Sequence, residues 1–326
     1  MPGEFEIIAK YFAPLAAGAA GAEGLGNDGA IFTPDAGLSV VVTADAMVAG
    51  VHFLPEDPPD LIGRKLLRVN LSDLAAMGAR PRGYLLVTAF PEDIDDAWIA
   101  AFVEGLARDQ AEFGIDLLGG DTVSTPGPLT LSLTAFGEMA QDQVLHRSGA
   151  RAGDDIYVSG TIGDGALGLM ALRGSLDHLG AEDCVALAER YRLPVPRIAL
   201  GQALAARGLA RGALDISDGL VADLGHICDA SGLGAYLSAE LVPLSEAARR
   251  ALDVDSGLCE TILTGGDDYE LLFTAAPEQA EAIAALAREL SLPLIRIGHM
   301  STGRGVRVEA RDRTEIILSS KGWAHF

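Results

Sequence analysis

Residues 213–230 read Ala213-Leu214-Asp215-Ile216-Ser217-Asp218-Gly219-Leu220-Val221-Ala222-Asp223-Leu224-Gly225-His226-Ile227-Cys228-Asp229-Ala230. The first four residues have the pattern of a short apolar strand, and the run from Leu220 has the spacing of a helix. Only a small polar turn separates them, so the strand feeds the helix directly. That unit builds layered α/β proteins, and the alternation extends in both directions. Upstream, residues 30–33 and 38–44 read as strands joined by the turn Pro34-Asp35-Ala36-Gly37. Residues 59–78 follow as a helix, 84–89 as a strand, 95–113 as a helix closed by Gly114, and 129–136 as a strand. A polar, glycine-bearing stretch over 139–153 interrupts the pattern. It places a boundary between domains at 1–140 and 150–326. The second half restarts with a strand at 155–159 and helical runs at 166–172, 185–191 and 198–207. Strand patterns at 269–274, 294–298 and 305–309 flank a helix at 277–290 that has proline in its first turn. The expected class is α/β (α+β) in two domains.

The chain has 326 residues, too many for most single cores, and a formal charge of −22 from 46 acids against 24 bases. Such a balance opposes general binding to nucleic acid or anionic membrane, both of which need a basic face. An acidic surface that aids solubility accounts for most of these acids, so the charge does not by itself imply metal. The cysteines, Cys184, Cys228 and Cys259, are three in number and form no CxxC pair, which disfavours zinc or a disulfide framework. The apolar stretch 11–22 lacks the basic start and uninterrupted apolar centre of a signal peptide, given Glu4, Glu6 and Pro14. No apolar run is long enough to span a bilayer. The reading is a cytoplasmic protein.

Five places set an aspartate among glycine, serine or threonine: Gly26-Asn27-Asp28-Gly29, Thr43-Ala44-Asp45, Asn70-Leu71-Ser72-Asp73, Gly119-Gly120-Asp121-Thr122 and Asp215-Ile216-Ser217-Asp218-Gly219. We read each as a turn beside an apolar element, where small neighbours allow close approach of a ligand. Carboxylates brought together repel unless a cation neutralises them. Magnesium is hard, oxygen-seeking and commonly shared with phosphates, and no EF-hand spacing favours calcium. Each aspartate also has a plain alternative as a helix cap or turn residue. No GxxxxGK[ST] loop is present. The GxGxxG spacing at 24–29 lacks the strand and helix of a dinucleotide fold, so it reads as a glycine loop carrying Asp28 toward metal or phosphate. Arg147 could serve phosphate or merely solvent. His52 could touch substrate or fill a half-buried strand end.

Taken in order, these segments resemble thiamine-monophosphate kinases, a family of the superfamily that includes aminoimidazole ribonucleotide synthetase and selenophosphate synthetase. The matching segments are Asn27-Asp28-Gly29-Ala30, Thr43-Ala44-Asp45 through Val51-His52-Phe53, Asn70 to Ala79, and Gly119 to Thr122. Arg147-Ser148-Gly149-Ala150, Asp215 to Leu220, the GGDDYELLF segment at 265–273 and the ending Gly322-Trp323-Ala324-His325-Phe326 complete the set. The resemblance covers nearly the whole chain and implies the two-domain architecture of that superfamily. It implies an N-terminal ATP- and metal-binding domain that pairs in a homodimer, and a C-terminal domain that completes the nucleotide and substrate site. It also implies ATP-dependent phosphorylation of thiamine monophosphate to the diphosphate by direct transfer. Asp28, Thr43, Asp45, Asp73, Asp121, Asp215 and Asp218 would hold several Mg2+ ions, Gly120, Asp121, Arg147 and Ser217 would contact ATP, and His52, Glu270 and Trp323 would surround thiamine. No acid–base residue is expected, because the acceptor is an ionised phosphate oxygen and the need is positioning.

Departures from the family pattern are Asn27 for a common aspartate, Ala44 for a hydroxyl residue and Asp267 for glutamate. Val103 stands near a position where some members carry a tyrosine beside the nucleotide, so no adenine contact is carried over. The competing readings are a selenium-pathway relative, disfavoured because no cysteine lies near the N-terminal glycine loop, a purine-pathway relative, disfavoured by His52 and GGDDYELLF, and a non-catalytic nucleotide-binding scaffold. The full acidic set opposes the last.

Overall fold

A computed structural model describes residues 3–176, 179–312 and 314–323. The chain divides into two compact units: Met1–Leu74 with Ala79–Asp142, and Ala75–Gly78 with Gln143–Phe326.

The first unit begins with short helical turns, α1 (Glu4–Ile7), a π-helical turn (Ile8–Phe12), α2 (Ala13–Leu15) and a 3-10 segment (Ala20–Leu25). Then come β1 (Leu38–Val48), α3 (Pro59–Ala76), β2 (Arg80–Phe90), α4 (Asp96–Phe113), β3 (Asp116–Ser124) and β4 (Thr130–Ala140). The four strands lie in the order β1-β4-β2-β3. β2 and β3 are parallel, as the intervening α4 crossover allows, and the other pairs are antiparallel. Period-2 alternation fixes the faces. Val41, Met47, Tyr84, Leu86, Phe90, Leu131 and Leu133 are buried, whereas Val40, Val42, Val87 and Val123 are exposed. The sheet therefore has one buried face and one apolar face open to solvent. Gly105 lets α4 close on α3, since a Cβ there would stand 2.0 Å from the Asp60 carbonyl oxygen. Asp109, fully buried on α4, accepts from Arg64 at 2.8 Å and Arg68 at 2.6 Å on α3. Asp95 caps α4 by accepting the Trp98 N–H at 2.8 Å, and Gly114 ends it at φ 64°.

The second unit runs β5 (Asp155–Ser159), α5 (Asp164–Leu172), α6 (Ala181–Arg192), α7 (Ile198–Arg207), β6 (Gly212–Asp215), α8 (Leu220–Ser231) and β7 (Gly234–Ser238). It continues with α9 (Glu246–Val254), α10 (Leu258–Thr264), β8 (Leu271–Ala275), α11 (Ala280–Leu290), β9 (Leu294–Ser301), β10 (Gly305–Glu309) and β11 (Glu315–Ile316). Seven strands form one mixed sheet in the order β11-β10-β7-β9-β5-β8-β6. Its strands and α8 share a core that includes Ile156, Val158, Leu214, Leu224, Ile227 and Leu272.

Several expectations need correction. Residues 30–33 form no strand; the Ile31 N–H goes instead to the Gly21 carbonyl at 2.8 Å. Gly119 to Thr122 lie inside β3 rather than in a turn, and Thr43 to Asp45 lie in the middle of β1. Asn70 to Asp73 sit within α3. β7, α9 and α10 were not anticipated. No helix among the described residues is long and apolar enough to cross a membrane.

Candidate active site

In the first unit the predicted residues fall into two groups. On the buried face at the β1 edge, the Thr43 hydroxyl donates to Asp73 Oδ2. The Asp45 amide donates to Asn70 Oδ1 at 3.2 Å, and Asn70 in turn donates to the Leu66 carbonyl at 2.9 Å. Asn70 is fully buried and ties α3 to the β1 backbone at Asp45, while Thr43 and Asp73 link the same two elements directly; Thr43, Asp45 and Asp73 are half-buried. Nearby in sequence, His52 Nδ1 accepts the Val48 N–H at 3.0 Å. A neutral ring held this way carries its proton on Nε2. The buried Lys65 steadies the same turn by donating to the His52 carbonyl at 3.2 Å.

The second group lies at the other edge. Asp121 pairs in register with the exposed Val87, so it projects from the open face of the sheet. Its Oδ1 accepts the Thr122 N–H at 2.8 Å. Gly120 before it admits no side chain: a Cβ would stand 1.7 Å from the Leu86 carbonyl oxygen. Asp28 lies on the exposed glycine loop, its N–H donating to Asn27 Oδ1 at 2.9 Å while Asn27 donates to Glu23 at 2.7 Å. Asn27 thus shapes this loop. Asp28, Gly120 and Asp121 share a cleft of about 430 Å³. β1 and β3 are opposite edges of the sheet, three strand spacings or roughly 14 Å apart at about 4.8 Å each. The aspartates of this unit therefore do not converge on one point within one chain.

In the second unit, β6 ends at the buried Asp215, and the turn into α8 carries Ser217 and Asp218, both half-buried. The turn is held by a residue the sequence reading passed over. Asp223 Oδ2 accepts the backbone N–H groups of Ser217, Asp218 and Gly219 at 3.1, 3.0 and 3.1 Å. An acid in the first turn of α8 was the available signal. Burial, and then the neighbouring Asp218 charge, push the Asp223 carboxyl up to about 7 against the pull of those amides. Asp218, Asp223 and His226 bring ligand atoms within 4.8 Å of one another. The Trp323 N–H donates to the Asp218 carbonyl at 2.9 Å, and the ring lies exposed along a groove of about 500 Å³ shared with Asp218 and His226. Residues 324–326 of the aromatic ending lie outside the described residues. Arg147 is exposed; its segment runs beside β6, the His146 carbonyl accepting the Ala213 N–H at 2.8 Å.

Glu270 has an environment unlike the one expected. It is fully buried, and its carboxylate accepts from Ser159 Oγ at 2.6 Å, Arg190 Nη2 at 2.9 Å, Arg197 Nε at 2.6 Å and a second Arg197 nitrogen. A carboxylate so surrounded has no face left for an organic cation. Asp268 is also buried, accepting the Gly163 and Gly165 amides at 2.8 and 3.1 Å. Burial drives its carboxyl well above the usual range, the two amides opposing and the Asp164 and Glu270 charges assisting. The half-exposed carboxylate of this segment is Asp267, in the left-handed region at φ 69° and bonded through its amide to the Ser217 carbonyl at 2.9 Å.

Comparison with known proteins gives a consistent picture. The models of the AIR synthase related protein N-terminal and C-terminal domains match residues 26–139 and 151–311. The thiamine-monophosphate kinase of Caulobacter vibrioides is 43% identical over 99% of this chain and 91% of its own length. The crystal structure of thiamine-monophosphate kinase from Stenotrophomonas maltophilia K279a superposes with a TM-score of 0.83 at 43% identity, covering 93% of this chain and 95% of that one. A structure described as AaThiL complexed with AMPPCP and TMP gives 0.78 at 31% identity over 90% and 89% of the two chains.

Proposed function

This chain belongs to the AIR synthase related family, with thiamine-monophosphate kinases among its relatives, and we propose that it phosphorylates thiamine monophosphate to thiamine diphosphate with ATP. A phosphate oxygen of thiamine monophosphate attacks the γ-phosphorus of ATP in line, the bond to the β-phosphate oxygen breaks, and ADP leaves. The nucleophile is already ionised at neutral pH, so the protein's part is to position two anions and offset their charge. The observation that carries the proposal is the pair of links between β1 and α3, Thr43 to Asp73 and the Asp45 amide to Asn70, which bring oxygen-bearing side chains of both elements to one edge of the sheet. Hydroxyl and carboxylate oxygens of this kind fit Mg2+. We assign Asp28, Asp121, Asp215 and Asp218 to the same task. Bound Mg2+ would supply neutralisation of phosphate oxygens and make an acidic pocket attractive to ATP. Gly120 and Ser217 approach the nucleotide, with Arg147 as a bidentate phosphate partner. The His52 Nε2–H and the exposed Trp323 ring serve thiamine monophosphate, the indole facing its thiazolium. For the carboxylate beside that cation we favour Asp267, with Glu270 setting Arg190 and Arg197 in place.

We further propose a homodimer that completes the site. Support comes from the exposed apolar sheet face and from the separation of the two acid groups to opposite edges. Asp121 of one copy would then serve together with Asp45 of the other. The three cysteines are free thiols, which supports a cytoplasmic location.

Turnover is tested by incubating the protein with ATP, Mg2+ and thiamine monophosphate and measuring thiamine diphosphate and ADP. Stoichiometric formation of both is expected; folded protein that forms neither would refute the assignment. For the dimer, Asp121→Asn and Asp45→Asn are each expected to be inactive alone. Mixed after dissociation, they should recover activity, because one site of the heterodimer has both aspartates. No recovery in a verified heterodimer would exclude a shared site.

A further inference from the structure

Residues 267–270 alternate between positions held at a conformational cost and acids turned into the fold. Asp267 and Tyr269 are left-handed at φ 69° and 52°, a region in which a bulky side chain is an outlier. The residue after each of them anchors the backbone. Asp268 is buried on the Gly163 and Gly165 amides, and Glu270 is fully buried against Ser159, Arg190 and Arg197. The main chain is stitched down as well. The Asp267 and Tyr269 amides donate to the Ser217 and Ile216 carbonyls at 2.9 and 2.7 Å, and the Ile216 amide donates to the Glu270 carbonyl at 2.9 Å. Backbone strain imposed this firmly clusters at active sites and ligand clamps. Here it brings two half-buried side chains together, the Tyr269 hydroxyl donating to Asp267 Oδ1 at 3.3 Å. Tyrosine is a neutral donor, so it orients the carboxylate without cancelling its charge, unlike the arginines on Glu270.

We infer that Tyr269 is a positioning residue, whose hydroxyl holds the Asp267 carboxylate in place for the organic cation of the substrate. The inference rests on the kinase reading above and on its choice of Asp267 as the carboxylate beside that cation. Tyr269→Phe removes the hydroxyl and keeps the ring. The KM for thiamine monophosphate is expected to rise about fivefold, the worth of one such hydrogen bond, with kcat, the ATP KM and the melting temperature unchanged. That split is what loss of uniform substrate binding gives, and a residue serving the fold alone would not produce it. Asp267→Gly supplies the second background, since glycine accepts the left-handed backbone while removing the carboxylate. There Tyr269→Phe should add nothing, because the group it acts through is gone. An unchanged KM in the single variant, or an equal rise in the Asp267→Gly background, would overturn the inference. If wild-type protein forms no thiamine diphosphate, the kinase reading falls, and the tyrosine is judged on calorimetric binding of thiamine monophosphate alone. Binding weakened to the same extent by Tyr269→Phe upholds its role; equal binding, or none on the wild type, counts against it.

Discussion

Two segments of this chain open with the same three residues, Gly119-Gly120-Asp121 and Gly265-Gly266-Asp267, and put their acids to opposite uses. In the first, a strand carries Asp121 out onto an open sheet face, where it accepts the amide of the next residue. In the second, the acids that follow turn inward. Asp268 receives two amides of the α5 start, and Glu270 receives a serine and two arginines. Both kinds of carboxylate are legible as "acid near glycine". What separates them is how many donors the protein already directs at each oxygen. A carboxylate met by several buried donors holds the fold, whereas one left at the surface with a single local donor keeps lone pairs for a cation.

The contrast can be broken first at Asp121. Asp121→Asn is expected to cut kcat at least a hundredfold, on the order of 3–4 kcal/mol of transition-state stabilisation. The melting temperature should stay within a degree or two, since the side chain is exposed. A matching loss of stability would show that Asp121 is structural after all. Glu270→Gln should do the reverse. It leaves two guanidinium groups facing a neutral amide in a buried site, with a cost of about 3 kcal/mol. Denaturant unfolding reads this directly, and an unchanged midpoint would contradict the assignment. The smallest effect concerns pH. Asp268 is raised in the folded state from an ordinary value of 3.8, so the folded protein holds the proton longer than the unfolded chain. Its contribution is fully favourable below about pH 4 and declines as pH rises toward the raised folded pKa. Asp268→Asn should flatten that part of the stability–pH curve. A curve with undiminished slope would place the titration elsewhere.

Much of the fold was readable because it is local. The strand-to-helix unit at 213–230, the proline-started helix near 280 and the Asp95 and Gly114 caps of α4 each follow from a few neighbouring residues. β3 escaped notice because glycine is a poor strand former. Its place there is decided by the Leu86 backbone, more than thirty residues away. The site divides along the same line. Thr43, Asp45 and Asp73 were identifiable as residue types, and the comparisons support the family they implied. The inward turn of Glu270 was not, because Arg190 and Arg197 stand 80 and 73 positions away. Asn70 and Asp223 organise the two groups through hydrogen bonds from the main chain. Sequence spacing offers no way to rank such residues against ordinary polar side chains.

Gly120 has a consequence for how this protein can change over generations. Any side chain at that position would strike the Leu86 carbonyl before it met a nucleotide. The backbone we propose to face the nucleotide is therefore guarded by the sheet itself. A lineage that no longer needed the reaction would still be barred from altering this glycine until the β2–β3 pairing had been rebuilt, so decay of the activity would start at the surface aspartates and reach Gly120 last.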